Sequence, residues 1–211
     1  VGADASITPL VFAGFCSLRA LSSKYNDNPE KASRPFDRLR DGFVMGEGAG
    51  ALILESAAHA KKRKARVYAE IAGYAATSEA YHMVIPREDG LEVANTMKLA
   101  LADAGLTPAQ VDYINAHATS TTIGDAVEVK AIRQLFKSRA DKIIISATKS
   151  LIGHTLGAAG AIGGIASVLA LYTGKIHPTA NYDDPDPACA LAGLSRSAQE
   201  RRVKVALLNA F

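Results

Sequence analysis

The sequence predicts an α/β protein in which a parallel or mixed sheet is covered by helices. Three observations carry that expectation. In the second half, short β-branched runs alternate with stretches of helical spacing, the order that buries a sheet between helices. Residues 143–172 compress the pattern into a strand, a polar turn and a long Ala/Gly helix. The residues best suited to chemistry, in Asn115-Ala-His117 and Thr148-Lys149…His154, fall where strands end and loops begin, which is where open α/β sheets gather ligands.

Taken in order, Ser6 or Thr8 caps a first helix, with Pro9 tolerated in its first turn and apolar Leu10, Phe12, Phe15, Leu18 and Leu21 carrying it to about Ser22. A polar, basic loop follows over residues 23–41, with a turn at Asn26-Asp-Asn-Pro29. A glycine-rich stretch then leads into an expected strand at 51–55, a basic helix at 59–66 and a longer strand at 67–76. Helical spacing returns at 91–104 (Leu91, Ala94, Met97, Leu101) and stops at Gly105 with Pro108 beyond. Residues 111–116 read as a buried strand, 125–136 as a helix with Val127, Ile132 and Leu135 inward, and 143–145 as a second buried strand. Residues 162–172 are so apolar that burial on every side is expected. The sequence closes on an apolar strand at 205–211, a mid-strand ending that suggests a fragment.

Composition bounds the function. Across 211 residues, 48% hydrophobic and 21% charged, the balance is that of a soluble globular protein. A net charge of +3 argues for no nucleic acid or other polyanionic partner. Two distant cysteines, Cys16 and Cys189, suggest neither a disulfide framework nor a zinc site, and no targeting segment is visible at Val1. The glycines of the Ala/Gly helix and the lack of an aromatic belt at its flanks argue against a membrane span.

Gly46-Glu-Gly-Ala-Gly-Ala51 matches a dinucleotide fingerprint on paper, but it leads into a strand, whereas that motif opens a helix; close backbone packing is the better reading, with Glu47 a buried or turn carboxylate. His117, Lys149 and His154 form the sharper constellation, able to meet around one substrate oxygen. A histidine at a helix N-terminus is pushed toward its neutral, hydrogen-bond-donating form. A partly buried Lys149 needs a counter-charge, for which Glu128 is the candidate, while Asp125 is expected to cap its helix. His59, His82 and His177 read as ordinary structural residues.

The motifs Asn115-Ala-His-Ala-Thr-Ser-Thr121 with Gly124-Asp125, and Thr148-Lys-Ser…Gly153-His-Thr-Leu-Gly-Ala-Ala-Gly160, resemble the β-ketoacyl-acyl carrier protein synthases, the condensing enzymes of fatty acid synthesis. Arg34-Pro-Phe-Asp37, residues 40–50, Ala80-Tyr-His-Met83 and Asn181…Asp184-Pro-Asp-Pro187 extend the likeness to the elongating branch over essentially the whole chain. The resemblance implies the thiolase-like fold, with two similar halves stacked as α-β-α-β-α layers. Residues 1–66 would end the first half, and 67–211 would form most of the second. It implies that His117 and His154 bind the malonyl thioester carbonyl, with Lys149 and Glu128 as the family's lysine and carboxylate. Thr119 and Thr121 would hold the phosphopantetheine arm, Phe15 would line the acyl pocket and Arg19 would face the carrier protein. No cofactor or metal is implied beyond substrates carried on phosphopantetheine. The implied partners are acyl carrier protein, a second copy in a homodimer and the upstream remainder of the same protein.

Departures from the pattern matter as well. The family's nucleophilic cysteine would lie upstream of Val1, since neither Cys16 nor Cys189 has its context, and the glycine-rich loop that follows the last strand in the family is missing. Gly163 stands where related enzymes carry glutamate, and Ala118 where glycine is commoner, a variant of organellar members. A mitochondrial or other organellar home is therefore expected, with bacterial cytoplasm the other option. Two alternatives stand beside the enzyme: a non-catalytic relative kept for assembly or carrier-protein binding and, more distantly, a nucleotide-binding dehydrogenase.

Overall fold

The computed structural model describes residues 1–211. Its first strand, β1 (Gly2–Asp4), pairs antiparallel with β2 (Gly48–Gly50), Gly2 opposite Gly50. Neither carries a β-branched residue, so the sequence pattern missed β1 and placed the second strand a few residues too late. Between them Thr8, with its Oγ1 3.5 Å from the Val11 amide that donates to it, caps α1 (Pro9–Ser17). The helix stops short of the expected Ser22 because Arg19 takes φ 53° and the backbone of Ala20 and Ser22 bonds Phe43 instead.

The expected strand at 51–55 does not form, nor does the one at 67–76. Both have strand-like sequences, but no other segment of this chain offers them a ladder, and their apolar groups stay open: Ile53 is 92% exposed and Tyr74 73%. The basic helix is shorter than expected; Ser56 caps α2 (Ala57–Lys62) and Lys64 leaves it at φ 55°. α3 (Leu91–Asp103) buries Val93, Met97 and Leu101, with Leu91 turned outward, and ends before Gly105 at φ 66°.

The core is built on β3 (Tyr113–Asn115), α4 (Gly124–Phe136) and β4 (Ile144–Ser146). A short α5 (Lys149–Ile152) and a single turn at Leu156–Ala158 lead into α6 (Ala159–Thr173). The hairpin of β5 (Lys175–Ile176) and β6 (Gln199–Glu200) follows, and β7 (Ala206–Leu208) closes the sheet. β3 lies between β4 and β7 and is parallel to both, with Tyr113 opposite Ile144 and Ala206. Successive side chains alternate between faces. Ile114, Ile145 and Leu207 join the cluster formed with α3 and α4, whereas Tyr113 and Ile144 meet Ala170 of α6. Burial on both faces is what makes these strands read as continuous apolar runs.

α6 sits between this sheet and the β1–β2 pair, so four successive layers, α-β-α-β, are visible within the chain. Small residues permit the contact: a Cβ on Gly50 would lie 3.0 Å from Ile165 Cδ1 and 3.2 Å from Ala161 Cβ. By length and composition Leu156–Thr173 could cross a membrane, at a mean hydropathy of 1.6. Here it packs on two sheets. Burial on every side, however, is not what it shows; only Gly163, Ser167 and Ala170 are fully covered, and Leu169 and Tyr172 remain about half open, the Tyr172 ring meeting that of Tyr68 at 4.7 Å.

The loop before β2 is pinned by buried charge. Asp37 accepts from Arg34 Nε at 3.0 Å and from the amides of Leu39, Asp183 and Asp184, while Arg40 pairs with Asp186 at 2.6 Å. Burial pushes the Asp37 carboxyl up, but the Arg34 and backbone hydrogen bonds outweigh it and hold it below its usual range. Asp125 does not cap α4. Its carboxylate lies inside, accepting from the amides of Phe36 and Ser120, and burial raises it to about 7.

Candidate active site

Three parallel strands end on the same side of the sheet, and each delivers a piece of one cavity. β3 runs into Asn115 and His117, β4 into Thr148 and Lys149, and β7 into Asn209 and Phe211; His154 comes from the turn before α6. The cavity holds about 210 Å³. The His117 and His154 ring centroids are 5.7 Å apart and nearly perpendicular, and Lys149, only 9% exposed, lies beside them.

The protonation of both imidazoles follows from their partners. Nδ1 of His154 accepts from the Leu156 amide at 3.2 Å, and Nδ1 of His117 from the Phe211 amide at 3.4 Å. Each ring therefore keeps its proton on Nε2. Burial, followed by the nearby Lys149 charge, pushes His154 down to about 4 and His117 well below the usual histidine range. The expected helix-terminus effect is thus replaced by desolvation and a neighbouring cation.

Glu128 is fully buried, but it makes no direct ion pair with Lys149. The two charges grip one stretch of backbone. Glu128 accepts from the amides of His117 and Ala118, both at 2.8 Å, and from Asn209 Nδ2 at 2.9 Å, while Lys149 Nζ donates to the His117 carbonyl at 2.7 Å. Burial pushes Glu128 up and Lys149 down, with the opposite charge countering it in each. Ala118, at φ 39°, is held in the left-handed region by this clamp.

Neither cysteine is placed to act here. Cys16 is exposed on α1, and Cys189 is buried with its thiol pushed up to about 12, far from a reactive thiolate. No group of three or more His, Cys, Asp or Glu side chains could hold a metal ion.

The sequence matches the Beta-ketoacyl synthase, N-terminal domain over residues 1–60 and the Beta-ketoacyl synthase, C-terminal domain over residues 68–183. The chain belongs to the β-ketoacyl synthase family. It is 48% identical over 210 residues to the chloroplastic 3-oxoacyl-[acyl-carrier-protein] synthase I of Hordeum vulgare, covering 100% of this chain and 45% of that protein. It is 49% identical to 3-oxoacyl-[acyl-carrier-protein] synthase 2 of Synechocystis, covering 100% of this chain and 50% of that one. The chain thus spans about half the length of these relatives. A solved type II polyketide ketosynthase, in complex with its acyl-carrier protein and bound to a hexaketide, superposes with a TM-score of 0.95 at 43% identity, over 98% of this chain and 50% of that one. The thiolase-like ketosynthase fold is therefore the fold of this chain.

Within this β-ketoacyl synthase chain the remaining expected residues fall outside the cavity lining. Thr119 and Thr121 sit together, hydroxyl to hydroxyl at 3.1 Å. Phe15 reaches the site indirectly, its ring 5.1 Å from Phe43, which in turn lies 5.4 Å from His154. Arg19 is exposed at the end of α1. The sequence reading missed Asn209 and Phe211, which line the same cavity. Asn209 follows its strand as Asn115 ends β3, and that repeated strand-end asparagine was the available signal.

Proposed function

We propose that this chain supplies the His/His/Lys portion of a β-ketoacyl-acyl carrier protein synthase that lengthens acyl chains by decarboxylative condensation. The observation that carries the reading is the pair of neutral imidazoles, each locked by a backbone amide at Nδ1, around one cavity. In the proposed reaction a malonyl thioester on acyl carrier protein enters with its carbonyl oxygen toward His117 and His154. The C–C bond to the carboxylate breaks, carbon dioxide leaves, and its electron pair becomes an enolate. Two Nε2–H donors stabilise the oxygen charge in a water-poor site. The enolate carbon then attacks an acyl group held as a thioester on a cysteine upstream of this chain, expelling the thiolate and forming a product two carbons longer. Lys149 and Glu128 hold the backbone that carries His117 rather than transferring a proton.

The same reading gives the phosphopantetheine arm to Thr119 and Thr121, the acyl pocket to Phe15 and the carrier-protein face to Arg19. The chain divides at residue 66 into the end of a first thiolase-like half and most of a second, and the protein works as a homodimer. Support comes from relatives that are chloroplastic, mitochondrial and bacterial synthases, so the compartment is an organelle or the bacterial cytoplasm. In the full-length enzyme, His154→Ala is expected to slow malonyl decarboxylation about a hundredfold or more while acyl transfer to cysteine persists. Equal loss of both half-reactions would refute this division of labour.

A further inference from the structure

A chain of polar side chains crosses the ends of β3 and β4; Asn115 and Thr148 line the cavity, while His177, Ser146 and Tyr113 stand behind it. Asn115 Nδ2 donates to the Gly163 carbonyl at 3.1 Å, which fixes the amide so that Oδ1 accepts from Thr148 Oγ1 at 3.0 Å. Thr148 has a single hydroxyl proton, and that contact uses it. Its oxygen also lies 3.0 Å from Nε2 of His177, so this contact is a hydrogen bond only when His177 carries a proton there. The same nitrogen is 3.4 Å from Ser146 Oγ, itself 2.8 Å from the Tyr113 hydroxyl, and Nδ1 lies 3.0 Å from the Pro178 carbonyl, which can only accept, so the ring satisfies both sides when each nitrogen carries a proton.

The placement gives this chain its meaning. Asn115 stands two residues before His117, and Thr148 immediately before Lys149, so their bond cross-links the two turns that carry the cavity's charged and donating groups. Residues after His177 grip the same turn: Thr179 Oγ1 accepts from the Ala147 amide at 3.1 Å, and the Ala180 amide donates to Ser150 Oγ at 2.9 Å. Residues 177–180 thus form a cradle beneath 147–150.

We propose that His177 is a positioning residue for the histidine–lysine cavity. By donating from Nε2 to Thr148 it aims that hydroxyl at Asn115 and sets the spacing of the His117 and Lys149 turns. The inference rests on the decarboxylation reading above. Its test compares His177→Phe, which removes the donor, with His177→Gln, whose amide can replace Nε2–H, in the full-length enzyme. The phenylalanine variant is expected to lose on the order of tenfold to a hundredfold in the kcat of malonyl decarboxylation with KM little changed, and glutamine to restore most of it. In parallel, ¹⁵N spectra of labelled histidines should show the His117 ring signals moved in His177→Phe and returned in His177→Gln. Should the phenylalanine variant not fold, Thr148→Val breaks the same link and should move the same signals. An inactive unaltered enzyme would overturn the functional reading, leaving the spectra to decide the positioning role. Unmoved His117 signals, or a glutamine variant no better than phenylalanine, would overturn the proposal itself.

Discussion

At the scale of single residues, the site works by withholding protons. Protonating His154 would place a hydrogen on Nδ1 facing the Leu156 amide, setting donor against donor and turning the ring. Because burial lowers His154 to about 4, its neutral form should hold throughout the neutral range. The sign follows: with the folded value below that of the unfolded chain, protons favour unfolding, and this residue's share of stability is lost as pH falls from about 6.5 toward about 4. Carbon dioxide release from malonyl-carrier protein should therefore be flat near neutrality and show an acid limb with its midpoint at about 4. A midpoint at the ordinary histidine value would sink this account. Much of this scale was legible in the residues, since His117, Lys149 and His154 stood out by type and by position after strands. The role of Glu128 was not, because spacing cannot reveal that a carboxylate and an ammonium meet through a peptide group rather than directly.

Among the elements, legibility followed what each one depends on. α3 and α4 could be read because a helix makes its own hydrogen bonds and needs only one apolar stripe. β3 and β4 could be read because burial on both faces leaves unbroken β-branched runs. Residues 51–55 and 67–76 carry strand-like side chains, but a strand exists only beside another strand, a property no local pattern encodes. β2 hid for the opposite reason, being chosen for closeness rather than propensity. Its neighbour Gly46 makes the point testable: a Cβ there would lie 2.5 Å from the Ile152 carbonyl, whereas one on Gly160 would meet nothing within 4 Å. Gly46→Ala is expected to cost about 1–3 kcal/mol in urea unfolding by forcing apart the backbone beside His154. Gly160→Ala should be neutral or stabilising by up to about 1 kcal/mol, as expected inside a helix. Equal behaviour of the two variants would rule out the close-packing explanation.

For the molecule as a whole, the unpartnered surface dominates. α1 buries no residue, Ile71 is 68% exposed, and the open side of α6 adds Leu169 and Tyr172. Apolar area on this scale favours association. Residues 1–211 prepared alone are expected to sediment as self-associated species and to show no condensation. A well-behaved active monomer would contradict both this expectation and the assignment of the nucleophile to another part of the protein. β7 carries a further consequence. It joins β3 from far along the sequence, and the bonds it brings to the cavity span 81 residues from Asn209 to Glu128 and 94 from Phe211 to His117. Contacts of such separation form late, because long loops must close first. During refolding of the full-length enzyme, helical circular dichroism should recover ahead of decarboxylation, with a lag set by the docking of β7. The site would stay chemically silent until Asn209 and Phe211 arrive, so an intermediate lacking this strand could not release carbon dioxide from malonyl-carrier protein without extending a chain.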